Sequence, residues 1–467
     1  MKKTICLKTL AVVLSVAAVL SFWSCGDDDD VYKFSFVTPA LYFAEPGSTQ
    51  TSFYVASNVR SVEVTTIPEG WEATVDTKLK CVTVTAPLSL EETEDETPVS
   101  SGTLKIRGYS GGGDAVVASL YVAMAEVVDY TSAPANCYIV SEADKGYRID
   151  VSRIPGSDRR IEPASVDYMW MTSSKMLQYL TFHDAGTAAF FAPAEDGEVY
   201  SGSALIGAYD KSGNFLWCWH LWVTNFNPEA EPVALNGNVF MACNLGASGN
   251  GSADESAVLA SYGLYYQWGR PTPFMRPRYF NCASGYSAYV YNSKGSQIYM
   301  TAEEAQPVQS MAYAMENPLV FLTDLSGWDV DTWVDGAKSS YDPCPAGWRV
   351  PQSGAFDGLA ISPEELNSDL ATLRDAYGWT LTDGAQSAFF FAGGRRRYLD
   401  GMVVNMNTAE RPEPWAGFYW TSGPAPAEGM HGCMFFELDT DDAAQSSLLL
   451  SRELQMSNGL QIRCVKE

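Results

Sequence analysis

The sequence predicts a multi-domain, β-dominated protein: two N-terminal all-β immunoglobulin-like sandwiches followed by an α+β domain. Three observations carry this. Short runs of alternating apolar and polar residues recur from residue 35 onward, separated by turn formers, as half-buried strands require. A longer apolar hairpin spans 204–223, and a capped helical pattern appears only at 362–377. The segments that follow are 1–24, an export signal; 25–34, a tether; 35–126 and 127–231, the sandwiches; and 232–467, the α+β region.

The start is basic at Lys2, Lys3 and Lys8, then apolar from Leu10 to Phe22, with Ser24 just before Cys25. That run is shorter than the roughly 20 residues a spanning helix needs and has the layout of a secretory signal. Cys25 and the acid run Asp27 to Asp30 follow. Here the chain resembles bacterial lipoproteins, in which such a cysteine carries the lipid and becomes the mature N-terminus. The acid run is similar to the export tag that sends Bacteroidetes lipoproteins to the outer face of the outer membrane. It also reads as a solvated tether, since like charges repel.

The chain holds 56 acidic against 30 basic residues, a net charge of −26. Nucleic acid is thereby excluded as a partner, because phosphate binding needs clustered Lys and Arg. Thirteen Trp and 25 Tyr suit β-rich extracellular domains. Of ten cysteines, Cys6 lies in the signal and Cys25 at the anchor. The rest are too widely spaced for a disulfide scaffold, and no CxxC pair points to zinc.

In the first sandwich the runs 61–65, 81–85 and 103–107 alternate, broken by Pro68-Glu69-Gly70 and Gly111 to Gly113. About 100 residues of this pattern close as an immunoglobulin-like sandwich. The order of Trp71 in "EGW", an alternating strand and "SGTLKIRG" resembles BACON modules of Bacteroidetes surface proteins, which implies a spacer, with Trp71 in the core. In the second sandwich, strands are expected at 136–140, 147–151, 166–171 and 188–192, with the hairpin turning at Asp210 to Asn214. Both faces of 215–223 are apolar, so that strand should be central and covered on both sides, with His220 hydrogen-bonded in the core. "NCYIV…GYRIDV" and "SALIGAYDKSGNFLWCWHLWVTN" resemble a β-domain of Bacteroidetes fimbrial-tip lipoproteins.

The last region carries "FMACNLGAS" at 240–248, "YGLYYQWGRPTPF" at 262–274, "YDPCPAGWRVPQ" at 341–352, "GFYWTSG" at 417–423 and "NGLQIRCVKE" at 458–467. In this order they resemble the Fibrobacter major paralogous domain, which is related to the C-type lectin-like fold. Ser362, Pro363 and Glu365 make a capping box, followed by the stripe Leu366, Leu370, Leu373 and Tyr377 with Gly378 as the stop. Cys344 and Cys464 match family cysteines, and the resemblance implies a disulfide between them. The enzyme branch of that fold, the formylglycine-generating enzymes, uses an "RGGS"-like segment. "FAGGRRRY" at 391–398 reverses its order.

The three histidines, His183, His220 and His431, form no i,i+4 metal pair and neighbour no nucleophile motif. Neither catalysis, a cofactor nor a metal is expected. The calcium-lectin triplets are missing: Glu316-Asn317-Pro318 is out of order. In the acidic loop 329–336, Trp333 takes the third-ligand place of an EF-hand. The expected function is that of a surface adhesin or pilus-tip-like subunit, or alternatively a glycan-binding lipoprotein of a polysaccharide-capture system. Partners are an extracellular glycan or protein ligand, the outer membrane through the lipid anchor, and other pilus subunits. The long aperiodic segment 269–341 carries Phe274, Tyr286, Tyr289, Tyr291, Trp328 and Trp333 among small polar residues, a paratope-like mixture. It is expected to form the recognition surface through Trp328 and Trp333, with Arg395, Arg396 and Arg397 as a basic rim. The competing reading makes the aromatics, Trp415 included, core.

Overall fold

The computed structural model describes residues 33–467 except 38, 44–45, 92–96, 184–185, 252–253, 279–288, 304–308, 326–327, 329–331, 363–376, 407–414, 426, 428 and 439–446. The signal, Cys25 and its acidic run lie outside the described residues, as do 363–376, where the capped helix was expected. Strand makes up 49% of the structure and helix 4%, so the architecture is multi-domain and β-dominated.

The first sandwich follows its alternation closely. One sheet orders Lys33–Phe36, Thr49–Ser57, Cys81–Thr85 and Glu72–Asp76; the other orders Ala40–Phe43, Ala115–Met124, Ser101–Tyr109 and Ser61–Thr66. Their inward residues, among them Leu41, Phe43, Tyr54, Val82, Val84, Leu104, Ile106 and Leu120, form one separate core. Trp71 is part of it: the indole meets Phe43 edge-on at 5.1 Å, and Nε1 donates to Val99 O at 2.8 Å. Only Ala125 and Glu126 separate the strand ending at Met124 from Val127–Asp129 of the next sheet.

In the second region one sheet orders Gln178–His183, Thr187–Ala192, Lys145–Asp150 and Val127–Asp129. The facing sheet orders Cys137–Val140, Phe215–Val223, Gly202–Tyr209, Ser165–Met171, Tyr289–Tyr291 and Gln297–Tyr299. Phe215–Val223 lies between two neighbours and is buried from Trp217 onward, the central placement its two apolar faces predict. The last two strands of that sheet come from beyond residue 231. The core is shared as well: Trp217 and Trp222 belong to one cluster with Trp268, Trp333, Trp348 and Trp420. Trp222 Nε1 donates to Ala247 O at 2.6 Å, and Trp217 packs on Tyr341 at 5.5 Å. The 231/232 boundary drawn from sequence therefore does not separate two cores. The doubly apolar strand needs cover on both faces, and the chain after 232 helps supply it.

Among its described residues, the remaining region is built from small sheets of two to four strands and two short helices, Glu255–Ser261 and Met311–Glu316. Asp254 and Ser310 cap them, accepting from Ala257 N and Tyr313 N. Two buried arginines secure the irregular chain. Arg270 donates to Thr272 Oγ1, Gln267 Oε1, Val320 O, Ala314 O and Asn317 O, the last two at the C-terminal end of Met311–Glu316. Arg463 donates to Met241 O, Ala242 O and Phe389 O.

The 341–352 landmark has a physical basis. Asp342 accepts from Cys344 N at 2.8 Å and Val350 N at 2.9 Å. Lys338 Nζ sits among the carbonyls of Cys344 (2.9 Å), Pro345 (3.0 Å) and Trp348, with Asp342 Oδ1 at 3.4 Å. The turn so held brings Cys344 to Cys464, and the two form a disulfide with a Cα–Cα distance of 6.1 Å. Cys218 is among the buried free thiols.

Candidate ligand-binding surface

The best exposed aromatic group among the described residues of segment 269–341 is a hairpin. Tyr289–Tyr291 and Gln297–Tyr299 pair antiparallel, with Tyr289 opposite Tyr299 and Tyr291 opposite Gln297. Asn292 Oδ1 accepts from Lys294 N at 3.0 Å and Ser296 N at 2.9 Å, and Gly295 takes φ +75°. An Asx turn closed by a left-handed glycine is the local chemistry that makes this chain reverse. Strand alternation then sorts the side chains. Val290 is in the core and Ile298 packs against it, which leaves Tyr289, Tyr291, Gln297 and Tyr299 on the other face.

The ring centres of Tyr289 lie 5.6 Å from Tyr291 and 6.2 Å from Tyr299. Tyr299 is 54% exposed. The Arg278 guanidinium stands over Tyr289 at 3.9 Å and holds that phenol below its usual range, helped by the hydrogen bond with Tyr291. Pairing of Tyr291 with Met171, and a 3.0 Å hydrogen bond from Ser293 Oγ to Asp167 Oδ2, fix the hairpin to the larger sheet. The face is aromatic at its centre and carries a guanidinium and an amide at its rim. It can stack on an apolar ring and hydrogen-bond that ring's polar edge.

The residues proposed from sequence lie elsewhere. Trp328 is 6% and Trp333 2% exposed, and both are core. Trp328 Nε1 donates to Gln309 O at 2.8 Å and Trp333 Nε1 to Tyr341 O at 2.9 Å, while the Trp333 ring lies against Trp268. Neither offers a ring face to a ligand; the segment needed large apolar side chains to pack over the domain, and these are they. Phe274 and Trp415 are buried too, and Tyr286 lies outside the described residues. The arginines form no basic rim. Arg396 is fully buried on Met275 O and Gly401 O, Arg397 pairs with Asp400, and Arg395 bonds Asn458 Oδ1 at 3.2 Å. Consecutive strand residues point to opposite faces, so three adjacent arginines do not share a surface.

Tyr299 was missed, although the signal was present. "YVYNSKGSQIY" at 289–299 has two alternating runs around an Asn…Gly turn. His220 is the hydrogen-bonded core histidine expected from sequence, and its two partners, which the sequence did not indicate, make a buried polar group with it. His220 lies between Cys137 Sγ (Nδ1, 3.4 Å) and Ser203 Oγ (Nε2, 3.0 Å). The spacing suits a nucleophile and its base, but each residue is no more than 2% exposed. Burial pushes His220 down to about 3 and the Cys137 thiol up. With no path for a substrate, the trio ties three strands together. In the acidic loop, Asp329 and Asp331 lie outside the described residues, and Asp335 accepts from Ser353 N at 2.7 Å. Among the described residues no three His, Cys, Asp or Glu side chains could share a metal ion. A shallow depression near Ser353, Thr421, Leu450 and Glu453 is lined without any aromatic ring.

No family model matches the chain, and no curated protein matches it in sequence. Among solved structures, a mixed-linkage glucan utilisation protein of Bacteroides ovatus, SGBP-B, in complex with a heptasaccharide, is similar at 14% identity. That match covers 42% of this chain and 45% of that one, with a TM-score of 0.14. The D00–D0 domain of intimin is similar at 10% identity over 40% of this chain and 96% of that one, TM-score 0.16. SporoSAG of Toxoplasma gondii is similar at 11% identity over 39% and 94%, TM-score 0.13. TM-scores this low establish neither a shared fold nor a shared function.

Proposed function

We propose that this protein is a lipoprotein of the cell exterior, anchored in the outer membrane through Cys25, that works as an adhesin or pilus-tip-like subunit. Residues 232–467, the lectin-like region by its landmarks, make the contact with an extracellular ligand. The observation carrying this reading is the tyrosine hairpin: three aromatic side chains gathered on one outward strand face, where the other large aromatics among the described residues are mostly core. The one nucleophile–base arrangement found among the described residues is sealed from solvent, which favours binding over catalysis.

The test is made on whole cells. Wild-type protein should be cleaved by protease added to intact cells, and Cys25→Ala should lose the lipid and leave the surface. Deletion of the gene should lower attachment to host cells or matrix, with complementation restoring it. Full protection from protease would overturn display at the surface, and unchanged attachment would overturn adhesion. The same hairpin also supports the glycan-capture alternative, which predicts lost growth on a polysaccharide instead of lost attachment.

A further inference from the structure

We infer that the face formed by Tyr289, Tyr291, Gln297 and Tyr299, with Arg278 at its edge, is a subsite for a neutral pyranose glycan; this rests on the binding reading above. A pyranose has an apolar C–H face and a rim of hydroxyls that both donate and accept. Tyr299, the most open of the rings, offers the stacking surface, and Tyr289 stands edge-on beside it with Arg278 over its ring. Gln297 supplies an amide that donates and accepts, and Arg278 a fork of donors. Together they match adjacent hydroxyls, whereas a purely apolar ligand would leave them unpaired.

Size and charge narrow the partner. A stable protein interface buries about 800 Å² on each side, whereas two three-residue strands and their turn present a small patch suited to one or two sugar rings. A polyanionic glycan would approach against the field of a chain of net charge −26. The face is also preorganised: Val290 and Ile298 are packed below it, and the turn is closed by Asn292. Little backbone freedom remains to be lost on binding.

The test uses the full chain in affinity electrophoresis through gels containing β-glucan, xylan, α-mannan or galactan, with heparin as the anionic probe. Wild type should be retarded by at least one neutral polysaccharide. Tyr299→Ala and Gln297→Ala should each weaken that retardation by about tenfold, a loss of about 1.4 kcal/mol, at unchanged melting temperature. Tyr299→Phe keeps the ring and should retain most of it. Undiminished retardation of both Tyr299→Ala and Gln297→Ala would overturn the site while leaving extracellular binding intact. Retardation by heparin alone, or by none of the polysaccharides while cells still attach through a protein ligand, would overturn the glycan class. Loss of attachment and of all retardation in wild type would overturn the parent reading with it.

Discussion

Removing the Cys344–Cys464 disulfide should destabilise the fold strongly while leaving every strand pairing possible. The bond joins residues 120 apart. In the chain-entropy account, releasing a loop of that length frees the unfolded chain by about 5 kcal/mol at 25 °C. Both cysteines are fully buried, so replacement by alanine also leaves a small void. Residual order in the unfolded chain works in the other direction. A net loss of roughly 3–5 kcal/mol is expected for Cys344→Ala/Cys464→Ala. The assay is guanidinium unfolding followed by tryptophan fluorescence, which reports mainly on the joint 127–467 core because most tryptophans lie there. Peptide mapping without reductant should recover the two cysteines as one linked species. A loss under about 1 kcal/mol, or recovery of both as alkylated free thiols, would refute the reasoning.

Three further outcomes follow from the packing. Trp328→Ala and Trp333→Ala should each cost about 3–5 kcal/mol, with any attachment activity falling only in step with the folded fraction; a selective loss of attachment at unchanged stability would return them to the binding surface. His220 and His431 are pushed down by burial to about 3 and about 4, below the roughly 6.5 of the unfolded chain. As pH falls below that value, the unfolded chain binds these protons first. Their stabilisation is complete above about 6.5 and is lost towards 4, at up to about 1.4 kcal/mol per pH unit for each histidine. His431→Gln should flatten that slope in urea unfolding between pH 4.5 and 6.5; an unchanged slope would show that His431 does not contribute. Finally, residues 127–231 expressed alone should be molten or aggregated and 127–467 folded, as judged by near-ultraviolet circular dichroism; a well-ordered short fragment would contradict the shared core.

The strand pattern was legible wherever a strand had one wet and one dry face. Thr103 to Arg107, Cys81 to Thr85 and the 204–223 hairpin all announce themselves by alternation or by flanking turn chemistry. Less visible was the partner of a two-sided strand. The apolar faces of Phe215–Val223 state that cover exists, but nothing local says that Met311–Glu316 and the tryptophans beyond residue 232 provide it. The helices Glu255–Ser261 and Met311–Glu316 escaped for a related reason: six or seven residues hold too few turns for periodicity, and such short helices form only with tertiary support. The surface failed at the tryptophans because composition cannot tell a displayed aromatic from a packed one. Tyr299 could have been found by reading 289–299 as a hairpin and asking which alternate residues faced out.

Lys338 takes the place of a bound cation. Three carbonyls and a carboxylate converge on its ammonium, an oxygen-rich cage of the sort that commonly receives a dissolved cation. Here the charge is delivered on a covalent stem, so it cannot be stripped by a chelator or exchanged for another ion. The turn that presents Cys344 to its partner is thus insulated from the mineral content of the surroundings. The bond-forming geometry therefore does not change as calcium or chelating acids in the medium rise and fall.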